Sequence, residues 1–270
     1  MKLVRTLLPA VLTCAIAACR PAPTNELVIT GSSTVAPLVA ELAAAFESQH
    51  PGWRIDVQSG GSSRGIRDVR QGLADAGMIS RALATDEQDL ITHTLAIDGI
   101  ALIVHADNPL KSLSDDEIRR IYSGDEQTWS ALGGHNRPIT VINKAEGRAT
   151  LKVFLAHIEL DNRVVEADLI AGENQQVVET VARDPAAIGY VSIGTAKYEM
   201  DNGASIKLLL LAGYEATVAN VQAGDYPLSR PLNLVTRNEP NEDLAAFMKF
   251  WRTPEATEII QRHYFVPATE

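Results

Sequence analysis

The sequence predicts an α/β fold with mostly parallel sheets. Strand-like and helix-like segments alternate along nearly the whole chain, which is the pattern of that fold class. Several predicted helices begin directly after a strand, at junctions rich in Gly, Ser and Thr. The chain has 270 residues, enough for one large domain or for two lobes with their own cores.

The N-terminus predicts a secretion signal. Lys2 and Arg5 precede an apolar stretch over 7–18, which is shorter than the roughly 20 residues that a membrane-spanning helix needs. The stretch ends in Ala17-Ala18-Cys19, which resembles the bacterial lipobox. We therefore expect a signal peptide over 1–18, a lipidated Cys19 and a tether over 19–25. The alternative is ordinary signal cleavage, with Cys19 incidental.

Charge and cysteine content exclude several classes of function. Loss of residues 1–18 removes two basic residues and takes the formal net charge from −10 to −12, a poor balance for a nucleic-acid binder. An anion would have to be captured by local geometry against this overall charge. Cys14 leaves with the signal, so neither a disulfide framework nor a cysteine metal site is expected.

Short apolar or alternating runs predict the strands. Ile55 and Val57 alternate with polar residues, and the continuous run over 99–105 is typical of a central strand. The predicted strands cover 27–30, 54–58, 76–79, 99–105, 139–143, 188–192, 206–211 and 232–236.

Apolar residues at helical spacing predict the helices. Leu38, Leu42 and Phe46 lie on one face of the first helix, and Ser114 is placed to cap the third. The predicted helices cover 37–50, 66–74, 115–123, 149–157, 175–183, 242–252 and 254–263.

Three strand-to-helix junctions predict an anion site. They are Gly31-Ser32-Ser33-Thr34, then 59–65 with three glycines and three serines, and 144–150. Each places unpaired N–H groups at a helix N-terminus, where the helix dipole favours negative charge. Ser or Thr at one such junction is usually a plain helix cap, but ligands gather where the strands of α/β sheets end.

These motifs carry a family resemblance over nearly the whole predicted mature chain. The matching segments are 30–37, 59–65, 72–81, 187–191 and 226–232, and the Asp-x-Gly-x-x-Ser-Arg element at 75–81 is the most specific. The sequence resembles the phosphate-binding proteins of bacterial ABC transporters, within the type II periplasmic-binding family. The resemblance implies two α/β lobes joined by hinge strands, with lobe 1 at 26–104 plus 230–270 and lobe 2 at 105–229.

The resemblance also implies the function. We expect an extracytoplasmic, membrane-anchored monomer that captures inorganic phosphate for an ABC permease in the inner membrane. No catalysis, cofactor, metal or nucleic acid is expected. Another oxyanion such as sulfate, molybdate or tungstate stays open as the ligand, and so does a role as a phosphate sensor.

The family pattern implies ligand contacts residue by residue. Asp75 matches a buried carboxylate, which can only accept hydrogen bonds and would favour protonated phosphate over sulfate. A capping or salt-bridge role for Asp75 is the alternative, and Arg81 is either a ligand contact or its structural partner. The full set is Ser33, Thr34, Val35, Ser62, Ser63, Asp75, Ser80, Arg81, Lys144, Arg148, Ala149 and Thr150.

The third junction departs from the family pattern Arg-x-x-Gly-Ser-Gly-Thr. Lys144 stands where the arginine would be, Arg148 replaces the serine and Ala149 replaces the second glycine, while Thr150 matches. A lysine cannot form the bidentate fork of an arginine. Arg148 either restores that cation or adapts the site to another tetrahedral oxyanion.

The main rival from another class is a serine hydrolase. Gly61-Ser62-Ser63-Arg64-Gly65 satisfies the nucleophile-elbow motif, with Ser63 as nucleophile and Asp201 and His263 as its partners. Only about two strands precede the motif, fewer than that fold normally places there. A metal-dependent phosphatase is disfavoured, because the six histidines show no ligand spacing.

Overall fold

Residues 24–268 are described by a computed structural model of the protein. The predicted signal peptide and Cys19 lie outside these residues. The strands are β1 (Asn25–Gly31), β2 (Trp53–Ser59), β3 (Ala76–Ile79), β4 (Ile91–His105), β5 (Ser112–Leu113), β6 (Thr140–Lys144), β7 (Leu169–Ala171), β8 (Ala187–Ser192), β9 (Ile206–Leu208), β10 (Leu210–Leu211), β11 (Ser229–Thr236) and β12 (Val266–Pro267).

The helices follow the strands in alternation, which confirms the predicted α/β class. They are α1 (Ala36–Gln49), α2 (Ser62–Arg70), α3 (Asp115–Tyr122), α4 (Ala149–His157), α5 (Asn174–Arg183), α6 (Ile193–Asp201), α7 (Val218–Ala223), α8 (Glu242–Phe250) and α9 (Pro254–Arg262). Within residues 24–268, every helix is too short or too polar to cross a membrane.

One mixed sheet runs through the molecule in the order β2-β1-β3-β11-β4-β8-β6-β7. The pairs β1–β2 and β1–β3 are parallel at one end, and β6–β7 and β6–β8 are parallel at the other. Between them, β11 and β4 form a long antiparallel pair. Two parallel groups are therefore joined through two crossing strands.

The side chains form two large cores. The first core lies around β1, β3, α1 and α8 and includes Leu38, Phe46 and Phe247. The second core lies around β6, β8, α3 and α4, where the rings of Phe154 and Tyr190 stack with centroids 3.8 Å apart. Strand β4 contributes residues 95–96 to the first core and 100–104 to the second. Residues 100–104 were predicted to belong to lobe 1, but they pack in the core that lies within predicted lobe 2.

Glycines let α2 pack directly on β1 and β3. A Cβ added to Gly65 would lie 2.9 Å from the carbonyl oxygens of Thr30 and Met78, and one added to Gly77 would lie 2.6 Å from the Gly65 carbonyl. Real Cβ atoms do not approach backbone this closely, so both positions require glycine. This packing holds the N-terminus of α2 beside the carboxyl ends of β1 and β3.

The structure differs from the predicted elements mainly where strands are polar or short. Strand β4 begins at Ile91, eight residues before the predicted run, because 91–94 alternate between half-buried and exposed positions and carry little apolar signal. Helix α2 begins at Ser62 rather than at 66. The segment predicted as one strand over 206–211 is two short strands, and β9 pairs with β4 while β10 pairs with β5.

Candidate functional site

A buried ion pair occupies the middle of the sheet. Arg230 on β11 and Asp98 on β4 are direct partners in the register of the crossing strands. The Asp98 Oδ2 atom accepts from Arg230 Nη2 at 2.9 Å and from Nε at 3.2 Å, and the residues are 1% and 2% exposed. Burial raises the pKa of the Asp98 carboxyl, and the charge of Arg230 opposes that shift. Ser192 donates to the other carboxylate oxygen at 3.0 Å.

The remaining donors of the Arg230 guanidinium contact both halves of the molecule. Nη1 donates to the Thr150 hydroxyl at 2.9 Å, and Nη2 donates to the Thr34 hydroxyl at 3.3 Å. Nη1 also lies 3.4 Å from both the carbonyl and the hydroxyl oxygen of Ser80. Thr34 follows β1 and Thr150 lies in α4, so this guanidinium is where the two parallel groups meet.

Thr34 is positioned to donate a hydrogen bond to an anion. Its hydroxyl oxygen accepts from Arg230 and, at 3.2 Å, from the Asn174 side-chain amide. A hydroxyl has two acceptor lone pairs and one proton, so two incoming bonds leave the proton to donate. The Val35 N–H, which was also predicted as a ligand donor, instead donates to the Ser32 carbonyl at 3.2 Å.

The serines of the second junction contact the other two loops. Ser62 is buried, and its hydroxyl oxygen accepts from the Ser80 N–H at 3.2 Å. The Ser63 N–H donates to the Gly147 carbonyl at 3.2 Å, a contact that joins α2 to the third junction. The Ser80 hydroxyl accepts from Ser32 at 3.0 Å. The sequence prediction that these loops come together is therefore consistent with the fold.

The third junction supplies two more cations. Lys144 is 3% exposed, and its ammonium donates to the Asn174 side-chain oxygen at 2.9 Å. Burial lowers its pKa from 10.5 to about 7; nearby Glu173 raises it, while Arg230 and Arg148 lower it further. Arg148 binds the Glu173 carboxylate at 2.9 Å and lies 3.5 Å from the Ser33 hydroxyl. Ala149 is buried at the first position of α4.

The helices that follow the three predicted junctions begin without a side-chain cap. No side chain caps the N-terminus of α1, α2 or α4. Of the other helices in the described chain, α5 also lacks a side-chain cap bond, whereas α3, α6, α7, α8 and α9 are capped by the side chains of Ser114, Ser192, Thr217, Asn241 and Thr253. An uncapped N-terminus can offer N–H donors to a ligand, although the Ala36 N–H of α1 donates to the Ser32 carbonyl and the Ser63 N–H of α2 donates to the Gly147 carbonyl.

Two predicted contacts lie away from this site, which corrects the prediction. Asp75 is exposed, and its carboxylate accepts from the Val28 N–H at 2.8 Å. It precedes β3 and so lies at the amino end of that strand, whereas the site lies at the carboxyl ends. Arg81 forms a buried bidentate pair with Glu87 at 2.6 and 2.7 Å, so it partners neither Asp75 nor the site.

The residues proposed for a hydrolase are not assembled. His263 contacts the Glu41 carboxylate at 2.7 Å, and Asp201 accepts from the Tyr264 hydroxyl. Ser63 faces Gly147 instead of a histidine. The elbow motif therefore lacks its base in this fold. Among residues 24–268, no group of three or more His, Cys, Asp or Glu is arranged to hold a metal ion.

Comparison with known proteins gives the family. The PBP superfamily domain matches residues 18–255, most of the chain. The chain belongs to the PBP superfamily. The predicted resemblance to its phosphate-binding proteins and the predicted fold class are both confirmed.

Relatives within the PBP superfamily cover almost the whole chain. The phosphate-binding protein PstS of Bacillus subtilis is 27% identical over 251 residues, which cover 91% of this chain and 82% of that protein. A crystal structure from Clostridium perfringens, described as a phosphate ABC transporter substrate-binding protein with bound phosphate, is 30% identical with a TM-score of 0.84. The match covers 91% of this chain and all of the Clostridium perfringens chain. An ABC-type phosphate transport receptor from Vibrio cholerae is 29% identical with a TM-score of 0.74, over 90% of this chain and all of that one.

Sequence reasoning missed the centre of the site in this PBP superfamily member. Arg230, Asp98, Asn174 and Ser192 were not among the predicted residues. A signal was present for the first two, because each is a lone charged residue within an apolar strand, and a charge buried in a core needs a partner.

Proposed function

We propose that the protein captures inorganic phosphate between two lobes and delivers it unchanged to an ABC permease. The observation that carries this proposal is the Arg230 guanidinium, buried at the junction of the two parallel groups and surrounded by the hydroxyls of Thr34, Ser80 and Thr150. Guanidinium groups bind tetrahedral oxyanions through paired N–H donors.

The charge arrangement supports an anion ligand. Asp98 balances Arg230, while no carboxylate lies within ion-pair distance of Lys144 in the described chain. Arg148 is balanced by Glu173. The site therefore carries one unbalanced cation when Lys144 is protonated, together with uncapped helix N-termini. Asp75 does not lie at the site, so phosphate is favoured among oxyanions by the Clostridium perfringens structure with bound phosphate and by the relatives described as phosphate-binding proteins.

The lobes follow from the crossing strands. We place the crossover of β4 near residues 97–100, because its residues up to 96 pack in the first core and those from 100 pack in the second. Lobe 1 then comprises the residues before this point plus 230–270, and lobe 2 those between. Two strands are a natural hinge, and the contacts of Arg148 with Ser33 and of Gly147 with Ser63 would hold the two lobes closed about them.

The setting is extracytoplasmic. A signal peptide over 1–18 would export the protein, and lipidation at Cys19 would anchor it at a membrane surface, within reach of its permease. The proposed state is a monomer. The similarity to phosphate-binding proteins such as that of Bacillus subtilis supports this setting. No catalytic step belongs to the proposal, and the bound anion would leave as it entered.

Calorimetric titration of the unlipidated mature protein tests the proposal. We expect one-to-one phosphate binding that exceeds sulfate and molybdate binding. A double variant, Arg230→Met with Asp98→Asn, should abolish it without leaving an unpaired buried charge. Asp75→Asn is the matched control and should bind normally. Preferential sulfate or molybdate binding would overturn the ligand, and recovery of a converted product would overturn the absence of chemistry.

A further inference from the structure

A large cavity lies beside the anion site. Its volume is about 1000 Å³, and its walls come from α1 and α9 on one side and from α5 and α6 on the other. Cavities of about 300 to 1,000 Å³ hold small organic ligands. Inorganic phosphate would fill a small part of this space. The cavity therefore has room for an organic group attached to a phosphate.

Hydrogen bonds connect the cavity to the Arg230 cluster. Thr34 and Thr195 both line it, and the Asn174 side-chain amide donates to both hydroxyl oxygens, at 3.2 and 3.3 Å. The same Thr34 hydroxyl accepts from Arg230 at 3.3 Å. An anion bound by Arg230 and Thr34 would consequently have one side against the wall of the cavity.

The lining favours a cation. The lining residues include four acidic residues, Glu41, Glu199, Asp201 and Glu258, and one arginine, Arg262. Arg262 and His263 both contact Glu41, whereas Glu199 has no ion-pair or hydrogen-bond partner for its carboxylate in the described chain. Tyr198, one helical position before Glu199, also lines the cavity and is 56% exposed. Aromatic faces bind quaternary and primary ammonium groups, and a free carboxylate in the same cavity adds a charge attraction.

We propose that this cleft also takes phosphomonoesters of small amines, such as phosphocholine and O-phosphoethanolamine. The inference rests on the proposed phosphate site. The phosphoryl oxygens occupy the Arg230 cluster, the ester oxygen faces Thr34 and Thr195, and the ammonium group lies between Tyr198 and Glu199. No bond is made or broken.

Competition calorimetry tests the proposal with the mature protein. Phosphocholine, O-phosphoethanolamine and glycerol 3-phosphate are titrated in turn, and then each again in the presence of saturating inorganic phosphate. Glycerol 3-phosphate offers the same phosphate end without a cation. We expect both amine esters to bind more tightly than glycerol 3-phosphate, and inorganic phosphate to displace them.

Two variants and two matched controls separate the amine subsite from the phosphate site. Tyr198→Ala and Glu199→Gln should weaken phosphocholine binding about three- to tenfold and leave phosphate binding within about twofold. Tyr214→Ala removes another exposed tyrosine, and Glu215→Gln another exposed carboxylate, both away from the cavity lining. These controls should change neither ligand.

The outcomes distinguish this inference from the function on which it rests. Phosphate binding without any binding of the amine esters would overturn the subsite and leave the phosphate site standing. Equal binding of glycerol 3-phosphate and phosphocholine would overturn the ammonium contact. Absence of binding for inorganic phosphate itself would overturn the proposed function.

Discussion

Lys144 should make anion capture depend on proton uptake. Its pKa is lowered from 10.5 to about 7, so the free protein loses this charge as the pH rises through about 7. A bound anion favours the charged form and raises that pKa again. Binding above pH 7 should therefore take up as much as one proton, and affinity should fall by up to about tenfold for each further pH unit.

The comparison that isolates this effect is Lys144→Arg. Arginine stays protonated across the range, whereas phosphate's own ionisation is common to both proteins. Titrations at pH 8 in buffers of different ionisation enthalpy measure the protons exchanged. We expect a clear excess of uptake in the wild type over the variant, and no such difference for Lys152→Arg, an exposed lysine on the same helix α4. Equal proton numbers and equal pH slopes in wild type and Lys144→Arg would refute the reasoning.

The same lysine gives the free protein an opposite trend in stability. The folded pKa lies below the unfolded one, so the unfolded chain binds more protons between pH 7 and 10.5. The free energy of unfolding should then rise with pH through this window, and Lys144→Met should lack that rise. A shift from 10.5 to about 7 sets an upper bound of roughly 5 kcal/mol. Urea unfolding at several pH values measures the difference between the two proteins.

Three further changes have expected outcomes. Asp98→Asn leaves the buried Arg230 charge unbalanced and should lower the free energy of unfolding, measured in urea, by about 3–5 kcal/mol. Phosphate should raise the melting temperature of this variant more than that of the wild type, because the anion replaces the missing charge. An equal rise in both proteins would contradict this. Gly77→Ala places a methyl group 2.6 Å from the Gly65 carbonyl and should lower the free energy of unfolding by about 1–3 kcal/mol. An unchanged urea midpoint would contradict this and would show that α2 can shift away. Asp75→Asn keeps an oxygen that can accept from the Val28 N–H, so phosphate affinity measured by calorimetry should stay within about twofold of the wild type. A large loss of affinity would indicate that Asp75 contacts the ligand after all.

The sequence predicted the loops of the site better than its centre. The three junctions were found because parallel strands place their carboxyl ends at one edge, a relation that needs no knowledge of distant pairing. Arg230 and Asp98 are 132 residues apart, and they meet only through the antiparallel register of β4 and β11. Local periodicity carries no information about that register.

The error at Asp75 came from matching a motif without its position in the strand. Residues 76–79 were predicted as a strand, so Asp75 had to lie at the amino end, away from a site at the carboxyl ends. The prediction of helix starts was better where a cap was recognised: α3 begins at Asp115 after the Ser114 cap, as predicted. Polar stretches such as 91–94 gave no comparable signal.

The crossing strands also determine the order in which the chain can complete its structure. Residues of the second core run continuously from Ile100 to Leu228, so that core can form as soon as this stretch is available. The first core needs β11, α8 and α9, which come after residue 228, to close over strands made from the first eighty residues. Contacts this distant along the chain form slowly. During synthesis and folding, the N-terminal strands are therefore the last to be completed by their partners. Arg230, which completes the anion site, lies in the last part of the chain to be made.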